Sequence, residues 1–511
     1  MIAASAFAAS VGIGLTLGIP APGVHDEFSY LLAADTFAHG RLTNPTHPLW
    51  MHFETMHVIQ QPSYMSKYPP AQGLFLALGK LLGGHPIIGV WLSMACMGAA
   101  ICWMLYAWVP PRWAIWGGVF AIVHPHLGVA GYWAQSYWGG AVAATGGALL
   151  LGGARYLCRK PSVPCAIATG LGLALLANAR PYEGLLVALP VGIGLAVWLA
   201  GRHGPGLRVA VRKIILPLIA VGAMTLAAMA YYNDRVTGSA LRLPYGIHER
   251  TYSVTPVFIW QRPLSPAPHY RHEMIREFQL EYALGYYRAK RSWEGFITSN
   301  LATLVVFALL GLNVFVIPLM VSFRGLVGWI RKNRWGRWAC SIYIVFLAGI
   351  MLETYNLLHY WAPVTALSYL FVVQSIRLWR ARDRRVGRWV PIGLLCMAAT
   401  LLTVGFYRST LARDQRTWAQ QRAELLTRLS QDGERHLVLV QYGPEHSFHR
   451  EWVYNEADID GSKVVWARDM GSQENCRLID YFKDRRVWFL AIDRDDAPIK
   501  LEPFPEDRCR S

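Results

Sequence analysis

Val24 to Leu42 reads VHDEFSYLLAADTFAHGRL, and Ser66 to Gly73 reads SKYPPAQG. These two stretches frame the first long polar excursion of a chain that otherwise moves from one apolar run to the next. Asp26 and Glu27 are adjacent carboxylates, and Lys67 stands just before Tyr68-Pro69-Pro70. Ionisable groups at the edge of a bilayer are costly and mark function. The plain structural alternative is that Asp26 and Glu27 cap a surface helix while Lys67 reaches the headgroups.

Outward from this loop, the composition is that of a membrane protein. Of 511 residues, 54% are hydrophobic and 16% are charged, and several apolar runs approach the roughly 20 residues a spanning helix needs. The net charge of +17 does not imply a nucleic-acid partner. Lys and Arg cluster in short loops between apolar runs, and no zinc-finger spacing, Walker loop or G-x-G-x-x-G opening a helix is present.

The apolar runs predict about eleven spans. The first covers Ile2 to Ile19 and, lacking a charged segment before it, reads as a retained span rather than a cleaved signal. Short loops rich in Arg and Lys follow alternate spans, which places them in the cytoplasm. The N-terminus is then cytoplasmic, and the chain is expected in a bacterial inner (plasma) membrane. Two outer loops cover 20–72 and 233–294. In the second, Met274, Phe278, Tyr282 and Tyr286 share one helical face. The membrane domain is read as 1–407. Residues 408–511 change composition: an amphipathic segment is followed by HLVLVQY, KVVWAR and RVWFLAID, short buried strands of a small soluble α/β domain on the extracytoplasmic side. Cys476 and Cys509 are placed to pair there.

The unusual residues gather on the outer side. Asp26 and Glu27 stand with Lys67, Tyr64 and Tyr68, then Arg180 and Glu183, then His359 and Tyr360. A carboxylate at such a place can act as general base or hold a metal. Lys and Arg can hold a phosphate. For Arg180 the alternative is a pair with Glu183, and for His359 and Tyr360 it is an interfacial aromatic belt. His25, His47, His52 and His57 lack ligand spacing on one element, so a divalent cofactor is left open.

In order and spacing these motifs resemble the C-fold (GT-C) membrane glycosyltransferases that use polyprenyl-phosphate sugars, in the branch of protein O-mannosyltransferases and aminoarabinose transferases. The likeness rests on HDEFSYLLAADTFAHGRL, SKYPPAQGLFLALGKLLG and HYWAPVTALSYL. It covers Met1 to Ala200 well and the rest by topology. It implies that Asp26, with Glu27 beside it, is the base or positions the acceptor, and that Lys67 contacts the donor phosphate. Arg180, His359 and Tyr360 stand where further donor contacts are expected. It also implies an inverting transfer from a polyprenyl-phosphate sugar to a glycan, lipid or protein. Two features depart from the pattern. Tyr68 is inserted into the Lys-Pro-Pro motif, and QSYWGG at Gln135 to Gly140 carries no carboxylate where relatives often do.

Two other readings predict different patterns. A transporter of lipid-linked sugar predicts ionisable residues at the bilayer midplane and two related halves; neither is evident. A non-catalytic scaffold predicts that Asp26 is dispensable.

Overall fold

The computed structural model describes residues 1–411, 417–493 and 499–505. Each of the expected spans is helical, and among the described residues five helices are long and apolar enough to cross a membrane: Pro86–Trp108, Pro181–Ala200, Leu207–Thr237, Trp293–Val321 and Val390–Arg408. Ile2–Leu17 and Val163–Ala177 are shorter apolar helices. Proline opens Pro70–Gly83, Pro86–Trp108 and Pro181–Ala200, where its fixed φ suits the first turn and its missing N–H costs nothing. The helices share one large apolar core, with Trp133, Phe120, Phe346 and Trp361 buried within it. The protein is thus a polytopic helical membrane protein carrying a small C-terminal sheet domain.

The two stretches around the opening loop become paired helices, His25–Ala38 and Pro70–Gly83. They touch because Gly73 has no Cβ; one there would lie 2.7 Å from the Cβ of Ala33. Asp35 links the pair, accepting a hydrogen bond from Lys80 Nζ and another from the Ala457 amide at 2.8 Å.

The C-terminal sheet runs in the order Val464–Arg468, His436–Tyr442, Arg486–Ile492, Lys500–Pro503. The first three strands are parallel and the last antiparallel. Parallel strands covered on both faces favour unbroken apolar runs, as in Leu437-Val438-Leu439-Val440, all buried. One face packs on the opening loop: Phe28, Leu32, Phe53, Val58 and Tyr64 share a core with Leu437, Leu439, Tyr454 and Val465. Phe28 stacks on Tyr454 at 4.2 Å. Arg468 crosses the junction, donating to the Glu54 carbonyl at 2.7 Å while paired with buried Glu451. Cys476 is disulfide-bonded; its expected partner, Cys509, lies outside the described residues.

In the second loop the anticipated face forms. Phe278 and Tyr282 are 5.6 Å apart, and Tyr282 and Tyr286 are 5.1 Å apart. The helix there is α, then π, then α, over Glu273–Glu277, Phe278–Ala283 and Leu284–Arg291.

Candidate functional site

Asp26 sits in the first turn of His25–Ala38, where the free amides of the helix favour a carboxylate. It accepts a hydrogen bond from the Tyr68 hydroxyl. Tyr68 is the residue inserted into the Lys-Pro-Pro motif. Its ring stacks on Tyr30 at 4.6 Å, and burial, then the Asp26 charge, push its hydroxyl well above the usual phenol range. Tyr68 therefore stays protonated and holds one oxygen of Asp26. Tyr30 is pushed up to about 12, first by burial, in the joint field of Arg180, Asp26 and Glu183.

Arg180 caps the helix that begins at Pro181. Its guanidinium lies 4.5 Å from the Tyr360 ring and 3.5 Å from Glu183. The anticipated pair with Glu183 exists, alongside a cation–π contact that fixes the guanidinium plane. His359 lies against Trp138 and Tyr360, both at 4.8 Å between rings. Burial, then the Arg180 charge, hold it well below its ordinary value, so it is a neutral imidazole.

Lys67 is buried, with its ammonium 4.9 Å from the Tyr245 ring and 5.5 Å from that of Tyr68. Its counterion is Glu249, at 3.4 Å. Burial pushes the Glu249 carboxyl up, but Lys67 and then His248 outweigh it and bring the group down to about 2. Glu249 and Tyr245 lie on Pro244–Tyr252, far along the chain, and sequence reasoning missed them. The signal was present as HER at His248 to Arg250, charged residues in a segment otherwise read as a polar, aromatic loop.

The structure brings Asp26, Tyr68 and Lys67 into one set of contacts and Arg180, Glu183, Tyr360 and His359 into another, and the charges of both act on Tyr30. Two expected members stand apart from these contacts. Glu27 is buried with both oxygens taken, Oε1 by the Tyr137 amide at 2.8 Å and Oε2 by the Gly23 amide at 2.7 Å. It ties the QSYWGG segment to the opening loop, and burial pushes its carboxyl up. Tyr64 points away, donating to the Asn455 carbonyl at 3.0 Å within the junction to the C-terminal sheet.

Among the described residues no group of three or more His, Cys, Asp or Glu side chains is placed to hold a metal ion. The four histidines of the opening loop explain why. His47 meets Asp460 at 3.2 Å, His52 is bonded to the Arg468 carbonyl at 3.0 Å, and His25 is bonded to the Tyr454 hydroxyl at 3.1 Å. Only His25 and His57 approach one another, edge to face at 5.8 Å. The Glu27 oxygens are also engaged, so these described residues do not fit a metal ion.

No protein-family model matches the chain, and no curated protein matches it in sequence. Solved structures do resemble it. ArnT from Cupriavidus metallidurans, in the apo state, superposes with a TM-score of 0.54 at 12% identity, covering 95% of this chain and 91% of that one. The oligosaccharyltransferase of Archaeoglobus fulgidus, in complex with Zn and sulfate, superposes with a TM-score of 0.53 at 9% identity, covering 96% of this chain and 68% of that one. At such identities the likeness is one of fold. The chain has the C-fold (GT-C) membrane glycosyltransferase architecture that its opening motifs imply.

Proposed function

We propose that the protein is a membrane glycosyltransferase that moves a sugar from a polyprenyl-phosphate donor to an acceptor. The observation that carries this reading is the pairing of Asp26 with Tyr68 in a wall shared with Lys67 and, through Tyr360 and Tyr30, with Arg180. One carboxylate is held in place, with a buried cation, Lys67, on its side of the site and a half-buried one, Arg180, on the other. A base facing phosphate-binding cations at a lipid boundary suits this transfer. The shared fold supports the same class.

In the reaction, an acceptor hydroxyl or amine gives its proton to the free oxygen of Asp26. The acceptor atom bonds to the anomeric carbon on the face opposite the phosphate. The bond from that carbon to the phosphate oxygen breaks, and the electron pair leaves with polyprenyl phosphate. Lys67 and Arg180 meet the charge that develops there, where fixed cations lower the barrier most. Tyr360 and His359 orient Arg180, and the apolar helices hold the polyprenyl tail. In this reading the site lies on the extracytoplasmic side of a bacterial inner membrane, with the C-terminal domain outside; the basic short loops support a cytoplasmic N-terminus.

The test is consumption of labelled polyprenyl-phosphate sugars by membranes carrying wild type or Asp26→Asn. Loss of a general base lowers turnover by about 10²–10⁴-fold, so the variant consumes donor at that reduced rate while remaining folded. Equal consumption by both proteins removes Asp26 from the mechanism. Movement of lipid-linked sugar across vesicles without consumption replaces the transferase reading with the transporter one.

A further inference from the structure

Arg155 lies near the end of the helix Gly140–Leu157 and is only 9% exposed. Its guanidinium packs against two indoles, 3.9 Å from the Trp335 ring and 5.8 Å from that of Trp108. No counter-charge accompanies it. The segments that meet at this point, 103–113, 140–165 and 322–340, contain no Asp or Glu. Its Nε is buried without a hydrogen-bond partner. The terminal nitrogens make no hydrogen bond among the described residues and, unlike Nε, are not shut off from the surface.

Further cations surround it instead. Arg334 lies 4.8 Å from the same Trp335 ring, and Arg159 donates to the Tyr106 carbonyl at 3.3 Å. Burial, then the Arg159 charge, with Arg334 adding to it, bring the Arg155 guanidinium down to about 10, so it is charged at pH 7. Buried charges are ordinarily paired or hydrogen-bonded, and an anion at the terminal nitrogens would complete this one.

The place lies at headgroup depth, far from Asp26. Pro86–Trp108 has 23 residues, about 33 Å at 1.5 Å per residue, close to the roughly 30 Å of a bilayer's hydrocarbon core. At its first end the His85 ring is 6.4 Å from Tyr137, whose amide binds Glu27 beside Asp26. Its last residue is Trp108, at Arg155. Trp338 stacks on Trp108 at 5.9 Å, and indoles gather where a bilayer meets water. Just ahead of Arg334 in the chain, the helix Phe323–Lys332 has no buried residue. Phe323, Leu326, Val327 and Ile330 share one side of it, with Arg324 and Arg331 flanking them. Such a helix lies in the interface, its apolar side towards the acyl chains and its cations among the phosphates.

A phosphate diester suits these groups. Two of its oxygens can accept from one guanidinium, and its single negative charge offsets that of Arg155. Basic pockets between spanning helices take anionic headgroups in this way. A zwitterionic headgroup brings its own cation to a place already crowded with them.

We propose that Arg155, Trp335 and Arg334 form a binding site for the phosphate of an anionic phospholipid, in the leaflet opposite Asp26. The site owes nothing to the glycosyl-transfer reading.

The test is lipid retention by the full-length protein, read by native mass spectrometry from detergent. The probes are short-chain phosphatidylglycerol and phosphatidylcholine, with inorganic phosphate and an acidic peptide as competitors. Wild type holds phosphatidylglycerol tenfold or more tighter than phosphatidylcholine of the same chain length, and neither competitor displaces it at equal concentration. Arg155→Met weakens phosphatidylglycerol binding tenfold or more and leaves phosphatidylcholine binding unchanged. Arg334→Gln, at an exposed position, weakens it in the same direction, so the result does not depend on how well Arg155→Met folds. The proposal is overturned if the two lipids are held equally, if both variants hold phosphatidylglycerol as wild type does, or if inorganic phosphate or the peptide displaces the lipid.

Discussion

The ion pair between Lys67 and Glu249 gives a sharp quantitative test. The Lys67 side chain is 7% exposed and that of Glu249 22%, with 3.4 Å between charged atoms. The Glu249 carboxyl falls from 4.5 to about 2. At about 1.4 kcal/mol per pH unit this amounts to roughly 3 kcal/mol of stabilisation, in line with the 3–5 kcal/mol typical when one partner of a buried pair is removed. Glu249→Gln is therefore expected to lower stability at pH 7 by about 3 kcal/mol. The pH dependence carries a sign. Because the folded-state value is depressed, the stabilisation is fully present above about pH 4.5 and fades as pH falls towards 2. Equilibrium denaturation of the full-length protein in detergent, followed by tryptophan fluorescence, measures both effects. The gap between wild type and variant is widest near neutrality and narrows steadily below pH 4.5. A variant as stable as wild type at pH 7, or a gap that widens in acid, refutes the reasoning. Joint replacement as Lys67→Met with Glu249→Leu recovers most of the loss, because no charge is then left alone.

Three further outcomes follow from the same geometry. Tyr68→Phe keeps the stack on Tyr30 but removes the donor to Asp26. A hydrogen bond to a charged group contributes about 1.5–3 kcal/mol, so kcat for donor turnover falls about ten- to hundredfold. Arg180→Lys keeps the charge but loses the planar contact with Tyr360 and two-pronged phosphate binding, so the donor KM rises about tenfold or more in steady-state assays. Arg468→Met strands the fully buried Glu451 and costs about 3–5 kcal/mol, read as a lowered denaturation midpoint together with protease access to the opening loop.

The spanning helices were legible because a bilayer demands long apolar runs, and these stand out in any window. The strands of the C-terminal domain were legible for a related reason: HLVLVQY reads as one unbroken apolar run, as a doubly covered parallel strand does. Asp26, Lys67 and Arg180 could be picked out because each is a charge beside an apolar run. The partners of those charges were not legible. Glu249 is 182 positions from Lys67, and no local pattern links them. Glu27 illustrates the opposite failure. Adjacency to Asp26 suggested a shared role, but successive side chains on a helix point about 100° apart, and Glu27 turns to the amides of Gly23 and Tyr137. Tyr64 was grouped with Tyr68 by nearness in sequence, yet in the β-bridge region before Lys67 the chain turns its ring towards Asn455.

Arg468 donates to the carbonyl of Glu54 across 414 positions of chain. On a ribosome adding about 5–20 residues per second, the opening loop waits roughly 20 to 80 s for that partner. During this interval the helices are inserted one after another, and the loop meets first Tyr137, through Glu27, and later Glu249, through Lys67. Closing so large a loop is also entropically late. The junction between the opening loop and the C-terminal sheet is therefore among the last parts of the molecule to close, after every helix is already in the bilayer.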